Sequence, residues 1–347
     1  MAASVSIVAG GSKRIPPFPP LAPLLRFAIR CLRFLHPLNP HPSISTPSIS
    51  IPSIPIASIF VPSITSNFAD FSMRIAPLST IDECRQVAAL EREIWGYDDS
   101  EDVLPPPVLV VSAKRGGILL GAFDAAGTLK GFVYSTPAVR NGELIQWSHV
   151  LGVVAELRNS GLGAELKLAQ RDAALRMGVD LIEWTFDPLQ ALNAHFNFAK
   201  LGVVAEEYEE NLYGSLTSPL HAGAPTDRLL AQWHIRKEHV ERRLASWGRP
   251  SLRDMSVARA GVVNPSAGGG RWPSPGQPDL NSSDPRVLVE IPAGFTGMLV
   301  TDPPLALAWR LHTREVFQAY FARGYRAVDF FVSQEAGRGQ YLLVRQT

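Results

Sequence analysis

The chain has 347 residues, 46% of them hydrophobic and 19% charged, with 33 Lys+Arg against 32 Asp+Glu and a formal net charge of +1. That is enough apolar material for one large core or two smaller ones. The even balance excludes both the basic excess of a nucleic-acid surface and the acidic excess of a solvating tail. No stretch approaches the roughly 20 uninterrupted apolar residues of a membrane helix. Cys31 and Cys84 fit neither a disulfide framework nor a metal-ligand spacing. The expectations are therefore no nucleic acid, no membrane, no metal, and a reducing cytoplasm.

Residues 1–72 form the first part. No acidic residue precedes Asp70, and a period of five runs through Pro42-Ser43-Ile44, Pro47-Ser48-Ile49, Pro52-Ser53-Ile54, Ala57-Ser58-Ile59 and Pro62-Ser63-Ile64. Proline at that spacing blocks a helix and a central strand, so a disordered tail is expected. The apolar run from Leu21 to Leu38 is cut by Arg26, Arg30 and Arg33, which is poor for a signal peptide. The pentad also looks like a short DNA repeat read in frame, and Met73 is the expected natural start. An Arg- and Ser-containing, acid-poor transit peptide is the competing reading.

Residues 73–255 alternate strands and helices. Arg74–Pro77 reads as a strand. Thr80 to Trp95 reads as an amphipathic helix with Ile81, Cys84, Val87, Leu90, Ile94 and Trp95 roughly on one face. Thr80 and Glu83 have capping-box spacing, and Gly96 ends the helix. An acidic loop with Asp98, Asp99, Glu101 and Asp102 follows, then a helix over 108–114. Strands are expected at 117–123, 129–137 and 146–154, then a helix over 161–177 stopped by Gly178. A strand at 181–186, a helix over 188–201 stopped by Gly202, and strands at 203–213 and 228–235 complete this part. The order implies a mixed α/β sheet covered by helices. Residues 256–285, with Gly268-Gly269-Gly270 and four prolines between 262 and 284, read as a flexible linker. Residues 286–347 give strand, helix, strand, strand. That module is too small for an independent core, so it is expected to dock on the main domain.

The chemistry concentrates where a strand gives way through Arg158-x-x-Gly161-x-Gly163 to a helix. A helix start presents unpaired N–H groups and a partial positive charge, and glycine lets the backbone approach a bulky anion. A pyrophosphate would be held there by main-chain donors. An ordinary tight strand–helix turn has the same letters.

This loop resembles the signature of the GNAT superfamily of N-acetyltransferases, [Gln/Arg]-x-x-Gly-x-[Gly/Ala]. The flanking text is similar to a branch of predicted bacterial acetyltransferases. The carrying stretches are Ser148-His149-x-Leu151-Gly152-Val153, Leu166-Lys167-x-x-Gln170-Arg171, Trp184-Thr185-Phe186-Asp187-Pro188-Leu189, Asn193-Ala194-x-Phe196-Asn197, Lys200-Leu201-Gly202, Pro225-Thr226-Asp227-Arg228 and Arg286-Val287-Leu288-Val289-Glu290-Ile291-Pro292. The resemblance implies an α/β (α+β) fold, GNAT-like, with a mixed, mostly antiparallel central sheet flanked by helices and a small C-terminal α/β module. It implies acetyl-CoA, or another acyl-CoA, as co-substrate and a small-molecule amine as acceptor. It leaves the oligomeric state open.

Cofactor contacts are then expected from the backbone of Leu151, Gly152, Val153 and Val154 to the pantetheine arm. The loop from Arg158 through Asn159, Ser160, Gly161, Leu162 and Gly163 to Ala164 is expected at the pyrophosphate. Asn193 either bonds the pantetheine or caps backbone. Many relatives carry a Tyr as acid two residues before Lys-x-Gly; here that position is Phe198, which has no proton to give. The candidates left are His149, whose intrinsic pKa suits a base, and Tyr213 and Tyr208 on the next strand. Each also reads as ordinary packing. Glu156 reads as a solvated loop charge. Asp227-Arg228 reads either as a structural ion pair or as a grip on a polar acceptor. A non-catalytic acyl-CoA sensor remains the alternative, as does transfer to a non-amine acceptor.

Overall fold

The computed structural model describes residues 73–96, 103–214, 225–246, 260–268, 271–333 and 337–346. The chain divides into Met1–Ile59 and Phe60–Thr347, and every described residue lies in the second unit. The Pro-Ser-Ile tail and the acidic loop 98–102 fall outside the described residues.

A seven-stranded sheet forms first. β1 (Arg74–Pro77) leads to α1 (Ile81–Trp95), which opens on a complete capping box between Thr80 and Glu83 and closes at Gly96 with φ 64. Then come α2 (Pro106–Lys114), β2 (Ile118–Phe123), β3 (Leu129–Arg140) and β4 (Glu143–Val153). A short 3-10 turn, Ala155–Leu157, precedes α3 (Leu162–Arg176) and β5 (Leu181–Phe186). Instead of one helix over 188–201, α4 covers only Ala191–Ala194 and is continued by a π-helical stretch, His195–Leu201. The strand expected over 203–213 reduces to β6 (Tyr208–Glu209) and two isolated bridges, Val204 to Gln232 and Ala205 to Ala327. β7 (Arg228–His234) follows, then α5 (Glu238–Ala245), which the sequence pattern did not suggest.

Strand order is β1-β2-β3-β4-β5-β7-β6, antiparallel throughout except β4–β5. The sheet separates two apolar layers. Ile182, Trp184 and Phe186 of β5 pack with Leu162 and Leu166 of α3 on one face. Phe132 and Tyr134 of β3 pack with Cys84, Val87 and Leu90 of α1 and Leu109 of α2 on the other.

The C-terminal part adds β8 (Gly261–Val262), β9 (Ser266–Ala267), β10 (Ser274–Pro275), β11 (Arg286–Pro292), α6 (Phe295–Thr301), α7 (Pro303–Phe321), β12 (Tyr325–Ser333) and β13 (Arg338–Arg345). Its main sheet runs β12-β13-β11-β8. This module docks as expected, and it shares one continuous core with the first sheet. Phe198, Phe186 and Ile182 join Trp309, Phe317 and Tyr341 in a single cluster. Arg310 grips Asp187 through two 2.7 Å bonds, Arg314 grips Asp227 the same way at 2.7 and 2.8 Å, and Arg243 pairs with Asp329.

The flexible linker is corrected over its described residues. Asn264 is fully buried and bonds both backbone groups of Glu290. Trp309 Nε1 donates to Pro273 O at 2.7 Å and Tyr320 OH to Asp279 O at 2.7 Å. Trp272 lies against Gly294 and Gly297, where a Cβ would come within 2.5 and 3.1 Å of its ring. Prolines and glycines here shape a strap packed on α6 and α7.

Candidate functional site

The site begins with a split in the sheet. β4 and β5 pair only at Gln146–Ile182 and Trp147–Glu183, while β4 runs on to Val153 and β5 to Phe186. Beyond Trp147 the edge of β4 that faces β5 has no strand partner. β5 stays paired with β7 to its end, and β4 with β3, so the two halves of the sheet part like a fork. The register of β4 against β3 skips His149, between Ser148 and Val150, so His149 is the bulged residue at the base of the fork.

Gly152 sits on the free edge and has to be glycine. A Cβ there would lie 2.7 Å from the Trp95 ring and 2.9 Å from Ile94, so α1 presses directly onto this strand. The free stretch of β4 carries Leu151, Gly152 and Val153 and leads through Val154 into the loop.

In the loop, Asn159 has φ 63 and Gly161 φ 100. These two positive-φ residues fold the chain back into α3. Gly161 is the N-cap of α3, with no side-chain cap. Leu162 N–H reaches Ser160 Oγ at 3.3 Å, and Ser160 Oγ donates to Leu157 O at 2.8 Å. The amides of Gly161 and Gly163 make no hydrogen bond among the described residues. A Cβ on Gly163 would meet only Leu151 at 3.5 Å, ordinary contact, which leaves room for alanine. Arg158 reaches the carbonyl of Ile94 at 3.4 Å and so leans on the end of α1. The unpaired strand edge thus leads into a helix start with no side-chain cap, whose free amides can donate to an anion.

Among the described residues, the face of the fork on the α1–α2 side is exposed to solvent at His149 and Tyr213. His149 lies here, its ring 6.1 Å from Tyr134 and edge-on to it. It is solvent-accessible, yet surrounding protein desolvates it enough to lower its pKa below the ordinary histidine value. Thr185 faces the same side, since its neighbours Trp184 and Phe186 face the other core. Tyr213 OH meets Thr185 Oγ1 at 2.9 Å, and Arg228 lies 5.3 Å from the Tyr213 ring centre. His149 from β4 and Tyr213 over β5 therefore flank the open face. Asn193 is exposed on α4, just past the end of β5, and its side chain makes no hydrogen bond among the described residues. Glu156 is exposed in the loop, as a solvated charge would be.

Tyr208 stands apart. Its OH donates to Asp227 Oδ2 at 2.8 Å, its ring stacks on Phe317 of α7, and burial, with Asp227 beside it, holds the phenol far above its ordinary pKa. It braces the C-terminal module. Asp227 pairs with Arg314 and not with its neighbour Arg228, which corrects the expected ion pair. Phe198 is fully buried against Phe186 and Tyr341, at ring-centre distances of 6.0 and 5.5 Å.

The opposite face of the fork holds a group that the resemblance included but to which it gave no role. Lys167 of α3 is 4% exposed, with its Nζ 3.7 Å from the Trp184 ring centre. Nζ donates to Ser148 Oγ at 2.8 Å and to Gln170 Oε1 at 3.1 Å. No carboxylate among the described residues faces it, and burial pulls its pKa down to about 7. The sequence signal was two polar residues, Lys167 and Gln170, at i and i+3 on a helix face that also carries Gly163 and Ala174. Glu183, the last β5 residue paired with β4, is also buried. Burial raises its pKa, against the pull of Arg140 Nη1 at 3.1 Å.

No protein-family model matches the sequence, and no curated protein matches it. Among solved structures, the chain is similar to an acetyltransferase of the GNAT family from Streptococcus pneumoniae, at 21% identity over 46% of this chain and 98% of that one, with TM-score 0.38. It is similar to the PaiA N-acetyltransferase from Thermoplasma acidophilum in complex with coenzyme A, at 18% identity over 47% and 99%, TM-score 0.34. A third is aminoglycoside 6'-acetyltransferase type Ii, at 18% identity over 47% and 97%, TM-score 0.36. At such identity and superposition these likenesses speak to neither substrate nor mechanism. Among the described residues no helix is long and apolar enough to cross a membrane.

Proposed function

We propose that this chain is an acyl-CoA-dependent N-acyltransferase, moving acetyl from acetyl-CoA to an amine of a small molecule by direct attack in a ternary complex. The supporting observation is the unpartnered edge of β4 beyond Trp147, which runs straight into an uncapped, glycine-built helix start. A free strand edge takes up an extended amide-bearing arm as an added strand. In this reading Leu151, Gly152, Val153 and Val154 hold the pantetheine arm, and the loop amides from Asn159 to Ala164 hold the pyrophosphate. The thioester then lies at the base of the fork, within reach of the open face. His149, kept neutral by its desolvation, takes the proton of the attacking amine. Tyr213, resting on Thr185, lines the acceptor side.

Calorimetry with acetyl-CoA tests the assignment. The chain from Met73 onward is expected to bind it, and Gly161→Glu to lose binding by placing a carboxylate at the anion site. A wild-type chain that does not bind, or a variant that binds equally well, refutes the reading. Phe198, a core residue without a proton, favours a second reading in which acyl-CoA binds without turnover. Thiol release across a panel of amines, amino acids and aminoglycosides separates the two.

A further inference from the structure

Transfer leaves a thiolate that needs a proton, and Phe198 cannot give one. On the closed side of the fork, Ser148 is the first β4 residue past the last β4–β5 pair, and Trp184 is the first such residue of β5. Lys167 touches both. Ser148 Oγ already accepts from Lys167 Nζ at 2.8 Å and from Gln170 Nε2 at 3.1 Å, while its own hydroxyl has only Gln170 Oε1 at 3.3 Å, an acceptor Lys167 also uses. The Ser148 proton is thus the least committed donor of a buried cluster that floors the fork.

We propose that Ser148 protonates the departing thiolate and that Lys167 restores the Ser148 proton. This rests on the acyl-CoA reading above and assigns the acid that reading lacks. As the amine nitrogen bonds to the acyl carbon, the C–S bond breaks and sulfur keeps the electron pair. Sulfur takes the hydroxyl proton of Ser148, and the ammonium of Lys167 passes one proton to Ser148. Lys167 is left neutral and regains its proton from solvent before the next turnover, while the amine's proton leaves by the open face. Lys167 acts through Ser148 and is a positioning residue. The groups facing it are Ser148 from β4, the Trp184 ring from β5 and Gln170 from its own helix; no charged group among the described residues contributes to its titration. Its pKa near 7 makes it a stronger acid than an ordinary thiol of about 8.5, so the transfer runs downhill.

The experiment is an NMR titration of the full chain labelled with 13C at lysine Cε, with the Lys167 signal assigned by its loss in Lys167→Met. The expected midpoint is near 7 in the free protein. Turnover of acetyl-CoA with an accepted amine is then followed over pH by thiol release. Ser148→Ala should lower kcat at least about ten-fold, and Lys167→Met should remove the limb of kcat that falls as pH rises through the Lys167 midpoint, with the acetyl-CoA affinity unchanged in calorimetry. A Lys167 midpoint near 10, a kcat–pH profile unchanged in Lys167→Met, or binding of acetyl-CoA without turnover overturns the assignment, since a merely structural lysine sets no such limb. If calorimetry finds that acetyl-CoA does not bind, the acyl-CoA reading itself fails, and this one with it.

Discussion

Arg310→Met tests how the C-terminal module is fastened. The Arg310 side chain is 2% exposed, and both its terminal nitrogens lie 2.7 Å from the two oxygens of Asp187. Asp187 also accepts Leu189 N–H at 2.9 Å, and Tyr341 OH donates to the next residue, Pro188, at 2.7 Å. Burial alone would raise the Asp187 pKa, but Arg310 outweighs it and holds the carboxyl below its ordinary value. Removing the guanidinium strands a buried carboxylate with one amide donor, which costs about 3–5 kcal/mol. Asp187→Asn combined with Arg310→Met buries no lone charge and should recover all but about 1–2 kcal/mol of that. The assay is urea unfolding followed over pH. In wild type the depressed Asp187 pKa gives stability present at neutral pH and lost as pH falls. In Arg310→Met the stranded group's pKa is raised, so its penalty is full at neutral pH and fades as the group protonates. The two curves should therefore converge towards pH 4. A single variant costing under about 1 kcal/mol, or a double variant no better than the single, refutes this account.

Other expectations follow from the same geometry. Gly163→Ala should keep acetyl-CoA binding, because its Cβ meets only Leu151 at 3.5 Å, whereas Gly161→Glu should lose it; calorimetry reads both. Gly152→Ala should destabilise by about 1–3 kcal/mol, since the new Cβ must displace Trp95 and Ile94; thermal unfolding measures it. Glu91 of α1, 4% exposed, has its pKa raised to about 7 by burial, against the bond from Leu104 N–H. Its contribution is full below about 4.5 and is lost as pH rises towards 7, so Glu91→Gln should be the more stable protein at pH 8, by on the order of 2 kcal/mol, and not at pH 4. Equal stabilities at both pH values in urea would contradict the burial of a charged Glu91.

What the sequence disclosed follows the range of the forces involved. The first helix was legible to its cap, because Thr80, Glu83 and Gly96 act within a turn of themselves. The loop from Arg158 to Gly163 was legible because glycine at positive φ leaves a local mark, and the strands from β2 to β5 because alternation and apolar runs do too. The fork was not, since it depends on where β5 stops pairing with β4. The strap over 260–285 misled for a related reason: its prolines and glycines look like a hinge until Trp309, Tyr320 and Glu290 are brought against it from far along the chain. Lys167 lay in plain sight on an apolar helix face. Its meaning came only with Ser148 and Trp184, which lie 19 and 17 positions away.

The clasp between Arg314 and Asp227 bears on how this protein can change over time. Asp227 holds Tyr208 and the backbone of Asn211 on one side and the C-terminal module on the other, and its neighbour Arg228 lies beneath Tyr213. A loss or replacement of the last 60 or so residues would thus reach the surroundings of Tyr213 directly. The first sheet and the module share one core, so exchanging either alone would alter both.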